Sequence, residues 1–198
     1  MTTIFEIFKM VKMGYQVGRA INSIAKKRGN PMAAVSLVWG SIFSDGLQFN
    51  WGLRFVPKSV MEGKEGGLAV NAKDAIFATL PKFCCVLVCL ENLKEATSNM
   101  PNKEWACFVI KAMAHEYRHA QQIEYFESAG LDSNYVLKYI ASKYSYTDSP
   151  VEQDAIQYST HIEVRSEGGC PEIYSRWVEV SESMRKIADE VHKVQEPK

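Results

Sequence analysis

Apolar and polar positions alternate along the chain in runs that change period, and each change marks a predicted element. Ile4, Phe8, Val11, Tyr15, Gly18 and Ile21 step by three and four residues, and Ile24 and Ala25 extend the stripe. This predicts an amphipathic helix stopping near Gly29-Asn30-Pro31. From Ala33 to Val56 the texture turns β-branched and aromatic around a turn signal at Ser44-Asp45-Gly46. A hairpin is expected there, Val35 to Phe43 pairing with Leu47 to Val56 and packing Trp39, Phe49, Trp51 and Phe55. Glu62 to Gly67 reads as a loop, and a third strand is expected to begin between Leu68 and Asn71.

Phe83, Val86, Leu87, Leu90 and Leu93 step like a helix from Pro81 to Ala96, although the run Cys84 to Cys89 also suits a buried strand. Pro101 ends the break that follows. Trp105, Phe108, Ala112, His115, His119, Ile123 and Phe126 then mark the inward stripe of a helix running to about Ser128, with Gly130 at its end. Further helices are expected from Ser133 to Lys143, from Ser149-Pro150 to Gly168-Gly169, and from Ile173 to Val194, the last carrying Trp177, Val180, Met184, Ile187 and Val191. The pattern predicts an α+β fold, helix-rich with a small, mainly antiparallel sheet, in a single domain spanning 1–198.

Composition narrows the function classes. Hydrophobic residues at 46% and charged residues at 23% are ordinary globular values. A formal net charge of zero argues against a nucleic-acid binder, which carries a basic excess. Charge is uneven, however: Lys9, Lys12, Arg19, Lys26, Lys27 and Arg28 face only Glu6 within 1–30. That basic helix is read as a packed helix with a solvated face, or as a surface that docks a protein partner, an acidic lipid or a targeting receptor. Cys84, Cys85, Cys89, Cys107 and Cys170 lack paired metal-binding spacing and read as reduced thiols of a cytoplasmic protein. No apolar run is long enough to span a bilayer.

Chemistry concentrates in His115-Glu116-Tyr117-Arg118-His119. Histidines four apart fall one turn apart on one side of a helix, so both imidazoles can hold one Zn²⁺ while the intervening glutamate leans toward the open coordination position. Zinc acidifies its bound water and polarises a carbonyl, and Glu116 is placed to take the water's proton. Core histidines satisfied by hydrogen bonds are the competing explanation. A third ligand has to come from elsewhere, because Ala120 to Phe126 supplies neither the glycine nor the third histidine of a metzincin. The next polar cluster on a predicted helix is Ser149 to Tyr158. Gln122, one turn beyond His119, is placed to hydrogen-bond a ligand or the water.

His115-Glu-x-x-His119 followed by Glu152-x-x-Ala155 resembles the zincin-like metallopeptidases of the gluzincin type, and the wording around both is similar to small, uncharacterised bacterial and phage-encoded proteins carrying the same motif. The resemblance spans roughly Trp105 to Ile162. It implies a zincin-like fold with its metal-site helices within 101–165, His115, His119 and Glu152 as zinc ligands, and hydrolysis of a peptide or protein substrate. It also implies an alternative: a non-catalytic protein on that fold, such as a virion component or an inhibitor of a host system. Asp154 and His161 remain rival ligands, and Ser149-x-x-Glu152 is also a capping box. With Glu152 on the metal, Tyr144, Tyr146 or His161 is placed to donate to the substrate oxyanion, Tyr146 and His161 being the candidates carried forward. Two positions depart from the pattern. Arg118 puts a charge where active peptidases usually have none, and Ile156 stands where many relatives carry Asp or Asn, leaving Glu163 or Glu167 to orient a ligand histidine.

Overall fold

The computed structural model describes residues 21–43, 47–63, 74–168 and 172–195, with side chains at 42, 161–181 and 195 outside the description. Residues 1–20 lie outside it, so the predicted basic helix is seen only in its last turns: 21–26 are helical and a turn follows. Within those turns Ile24 is fully buried. Arg28, counted in the sequence with the solvated basic face, instead donates to the carbonyls of Thr97, Ser98 and Met100, where a helix ends.

Asn30 then caps α1 (Pro31–Val38) through its side-chain oxygen, which accepts from the Ala33 amide at 3.2 Å, with proline at the first helical position. A wide turn, Trp39–Phe43, continues it. The expected strand over Val35 to Phe43 is therefore a helix, and the hairpin does not form. Ala34, Val35 and Val38 are all fully buried, and burial on several sides erases the period that separates helix from strand, leaving the cap to decide.

The sheet has three strands in the order β1-β3-β2: β1 (Gly52–Phe55), β2 (Phe77–Leu80) and β3 (Cys85–Val88). β1 pairs parallel with β3, from Gly52 against Cys85 to Phe55 against Val88. β2 pairs antiparallel with β3, from Phe77 against Val88 to Leu80 against Cys85. The sheet is thus mixed rather than mainly antiparallel. A short helix, α2 (Lys58–Met61), follows β1, and the strand expected at Leu68 to Asn71 lies outside the described residues.

The single helix expected over Pro81 to Ala96 is also corrected. The segment divides into a tight turn (Pro81–Phe83), β3, and α3 (Leu90–Ala96). Cys84, at φ +43°, makes the bend between the turn and the strand. Val86, Leu87 and Val88 are fully buried because both faces of this central strand are covered, which gives the continuous apolar run of a buried strand.

The long helix α4 (Asn102–Ser128) packs over the sheet face that carries Phe77, Val86 and Val88. Beneath the opposite face Val60, Met61, Leu87 and Cys89 form a smaller cluster. Gly130, at φ +77°, ends α4 where the chain reverses. Asp132 then caps α5 (Ser133–Lys143) by accepting from the amides of Asn134 and Tyr135. α6 (Pro150–Gly168) and α7 (Glu172–Gln195) complete the chain, and Met184, Ile187 and Val191 of α7 join Phe126, Val136, Ile140 and Val151 in a second core. Glu124 ties α4 to the segment before β1, accepting from the amides of Gln48 and Phe49 and from Trp51 Nε1 at 2.7–3.0 Å. Among the described residues no helix is long and apolar enough to cross a membrane, and Cys84, Cys85, Cys89 and Cys107 are free thiols.

Candidate metal centre

His115 and His119 stand one turn apart on α4, and Glu152 faces them from the first turn of α6. His115 Nε2 lies 3.0 Å from His119 Nε2. Glu152 Oε2 lies 3.3 Å from the first of these nitrogens, and Oε1 lies 3.5 Å from the second. The three donor atoms fall within 4.8 Å of one another, a group that could hold a metal ion. Of the rival third ligands, Glu152 is brought to the histidines and Asp154 is not, while the His161 side chain lies outside the described residues. The capping-box alternative is not realised, because the Ser149 amide donates to the Tyr146 carbonyl at 3.3 Å while the Glu152 carboxylate faces the imidazoles.

Burial within the motif departs from the expected inward stripe. Glu116, Tyr117 and Arg118 are buried, whereas His115 and His119 are half-buried. α6 packs against α4 on this side, and the histidines face Glu152 across that contact.

Asp154, the rival ligand, has another task. It receives Arg118 through both oxygens, Nε to Oδ2 at 2.7 Å and the Nη2 group to Oδ1 at 3.2 Å. The charge that departs from the family pattern at Arg118 is thus buried and paired across α4 and α6. Burial lifts the Asp154 carboxyl above its ordinary range, although Arg118 and Gln122 both pull the other way.

Gln122 Nε2 donates to the same Asp154 Oδ2 at 2.6 Å and to the Val151 carbonyl at 2.9 Å. Its amide is therefore fixed with Oε1 toward His119, 2.8 Å from Nδ1. An oxygen can only accept, so Nδ1 carries the hydrogen, and in the neutral ring Nε2 turns a bare lone pair into the cluster. The side chains of Glu163 and Glu167 lie outside the description; among the described residues Asp154 reaches His119 through Gln122.

Two imidazole nitrogens at 3.0 Å beside a carboxylate need a hydrogen or a metal ion between them. A proton can meet that need. Burial works against a charged His119, but the adjacent Glu152 and the charge of Glu116 prevail and raise its pKa to about 9. Burial likewise opposes the charge on Glu152, yet the two imidazoles hold its carboxyl far below the usual range. A divalent ion meets the same need, and the donor set of two imidazoles and one carboxylate suits zinc. Glu152 Oε2, buried without a hydrogen bond, fits that use.

Glu116 lies between this cluster and the sheet: its charge raises His119, and its Oε2 accepts from Thr79 Oγ1 of β2 at 2.6 Å. No feature of the sequence singled out Thr79. Tyr146 sits at the rim, largely exposed, and burial together with the Glu152 charge pushes its phenol up to about 12. Tyr144 is exposed on the same loop, while the His161 side chain lies outside the described residues. No family model matches the chain, and neither the curated proteins nor the solved structures yield a match.

Proposed function

We propose that the chain is a zinc-dependent peptide hydrolase of zincin-like type, with His115, His119 and Glu152 as ligands. The observation that carries the reading is the convergence of those three donors within 4.8 Å, two of them on the helix that also bears Glu116. Bound there, zinc supplies Lewis-acid polarisation of a carbonyl and an acidified water. Glu116 takes the proton of that water as its oxygen bonds to the carbonyl carbon, and passes it to the amine as the C–N bond breaks. Tyr146, whose phenol stays protonated at neutral pH, donates to the oxygen that gains the electron pair.

The register of the sheet supports a peptide as substrate. The Cys89 amide donates to the Ile76 carbonyl at 2.8 Å. By antiparallel alternation Ala78 and Leu80 then bond to β3, while the backbone groups of Phe77 and Thr79 face outward. β2 is an edge strand among the described residues, and it passes beside Glu116, so an extended peptide can pair with it.

Elemental analysis of the purified protein, beside His119→Ala and Glu152→Ala, tests the centre. About one zinc per chain, lost in both variants, is the expected result. A native chain that stays metal-free after zinc is supplied overturns the reading. Glu116→Gln should keep the zinc and lose peptide turnover, whereas zinc-loaded native protein that cleaves no member of a peptide library is a non-catalytic protein.

A further inference from the structure

We propose that Thr79 couples the docking of an extended peptide on the open edge of β2 to the orientation of Glu116. This rests on the hydrolase reading and names its substrate class: an unfolded chain segment rather than a short blocked peptide.

Thr79 belongs to both partners. Its backbone N–H and C=O face the outer edge, unpaired among the described residues, since the hydrogen-bonded pairs with β3 fall at Ala78 and Leu80. Its side chain turns toward α4, on the face that Phe77 and Val86 share, and the hydroxyl hydrogen goes to Glu116 Oε2 at 2.6 Å. The Glu116 carbonyl lies within 3.2 Å of the same hydroxyl. A carboxylate on a flexible side chain needs such a tether, because a general base acts only within hydrogen-bond reach of its proton. One oxygen is occupied by Thr79, and the other remains to receive the proton.

Among the described residues this four-residue edge strand is held on one side only. A peptide that pairs with Phe77 and Thr79 closes the second side and fixes the strand, and with it the hydroxyl that aims the base. Reaching both residues takes a peptide about 7 Å longer than one that meets Thr79 alone. Remote pairing energy is thereby realised in turnover rather than in affinity. Thr79 is a positioning residue, since it acts on the reaction through Glu116.

The test compares a quenched-fluorescent octapeptide, chosen from a random library, with a blocked dipeptide carrying the same scissile bond. On the octapeptide, Thr79→Val should lower kcat about ten- to a hundred-fold, the cost of a misplaced group, with KM nearly unchanged. Zinc affinity, read by competition with a chromophoric chelator, should stay at the native value. Thr79→Ser, which keeps the hydroxyl, should restore most of the loss. On the dipeptide the native chain should already be slow, and Thr79→Val should lower its turnover by a clearly smaller factor than on the octapeptide. An active native enzyme on which Thr79→Val falls equally on both substrates, or has no effect, overturns the coupling and leaves the hydrolase reading standing. A zinc-loaded native chain that cleaves neither peptide overturns both.

Discussion

Gln122 is the residue on which the quality of the centre depends. Both amide hydrogens are taken, by Val151 and Asp154, so its oxygen is committed to His119. Gln122→Leu removes the acceptor and frees the imidazole to turn or change tautomer. Zinc affinity should fall about ten- to a hundred-fold, measured by chelator competition, as for other partners of ligand histidines. Unchanged affinity would show that α4 alone orients the ring. Arg118 calls for a different experiment, because its task is to neutralise a buried acid. Arg118→Met strands Asp154 and should cost about 3–5 kcal/mol in urea unfolding, whereas Arg118→Met with Asp154→Leu should cost much less than the two single changes added.

At the scale of elements, the centre is a crossing of α4 and α6 held from beneath by β2. α4 contributes both histidines, Glu116 and Gln122; α6 contributes Glu152 and Asp154; β2 contributes Thr79. The helix pair was legible from spacing, since four residues make a turn wherever a helix forms. β2 was not legible: Phe77 to Leu80 is too short to show alternation, and the loop before it carries no signal that sets its register. The correction at α1 has the same root, an apolar run buried on several sides, and there Asn30-Pro31 was the informative signal. Phe126 pins the far end of α4 in the second core and is fully buried, so Phe126→Ala should cost about 3–5 kcal/mol, seen as a lower Tm or urea midpoint.

For the whole molecule, the centre links stability to pH and to metal. In the metal-free chain the folded pKa of His119 is raised to about 9. The contribution is therefore complete below the unfolded value near 6.5 and lost as pH rises through about 9. Glu152, lowered, contributes above the unfolded carboxylate value near 4.3 and loses that contribution as pH falls further. The metal-free melting temperature should decline from pH 6.5 to 9, and His119→Gln should flatten that decline. Zinc competes with the proton at His119, so its stabilising effect should grow over the same interval and reach about 4 kcal/mol at a thousand times its Kd.

The sequence by itself determined the helices from Asn102 onward and the placement of both histidines, Glu116 and Gln122, because the last four follow from the period of one helix and need no partner. It also placed Glu152 at the start of a helix beside a proline and a rim tyrosine, which narrowed the third donor to a few residues. Tertiary structure alone decided among them, by bringing Glu152 to the imidazoles and turning Asp154 to Arg118 and Gln122. It alone decided that Thr79 holds Glu116 and that the unusual Arg118 is a buried cross-brace. Contacts across more than thirty residues of chain depend on how helices cross and how strands register, and neither leaves a period in the sequence.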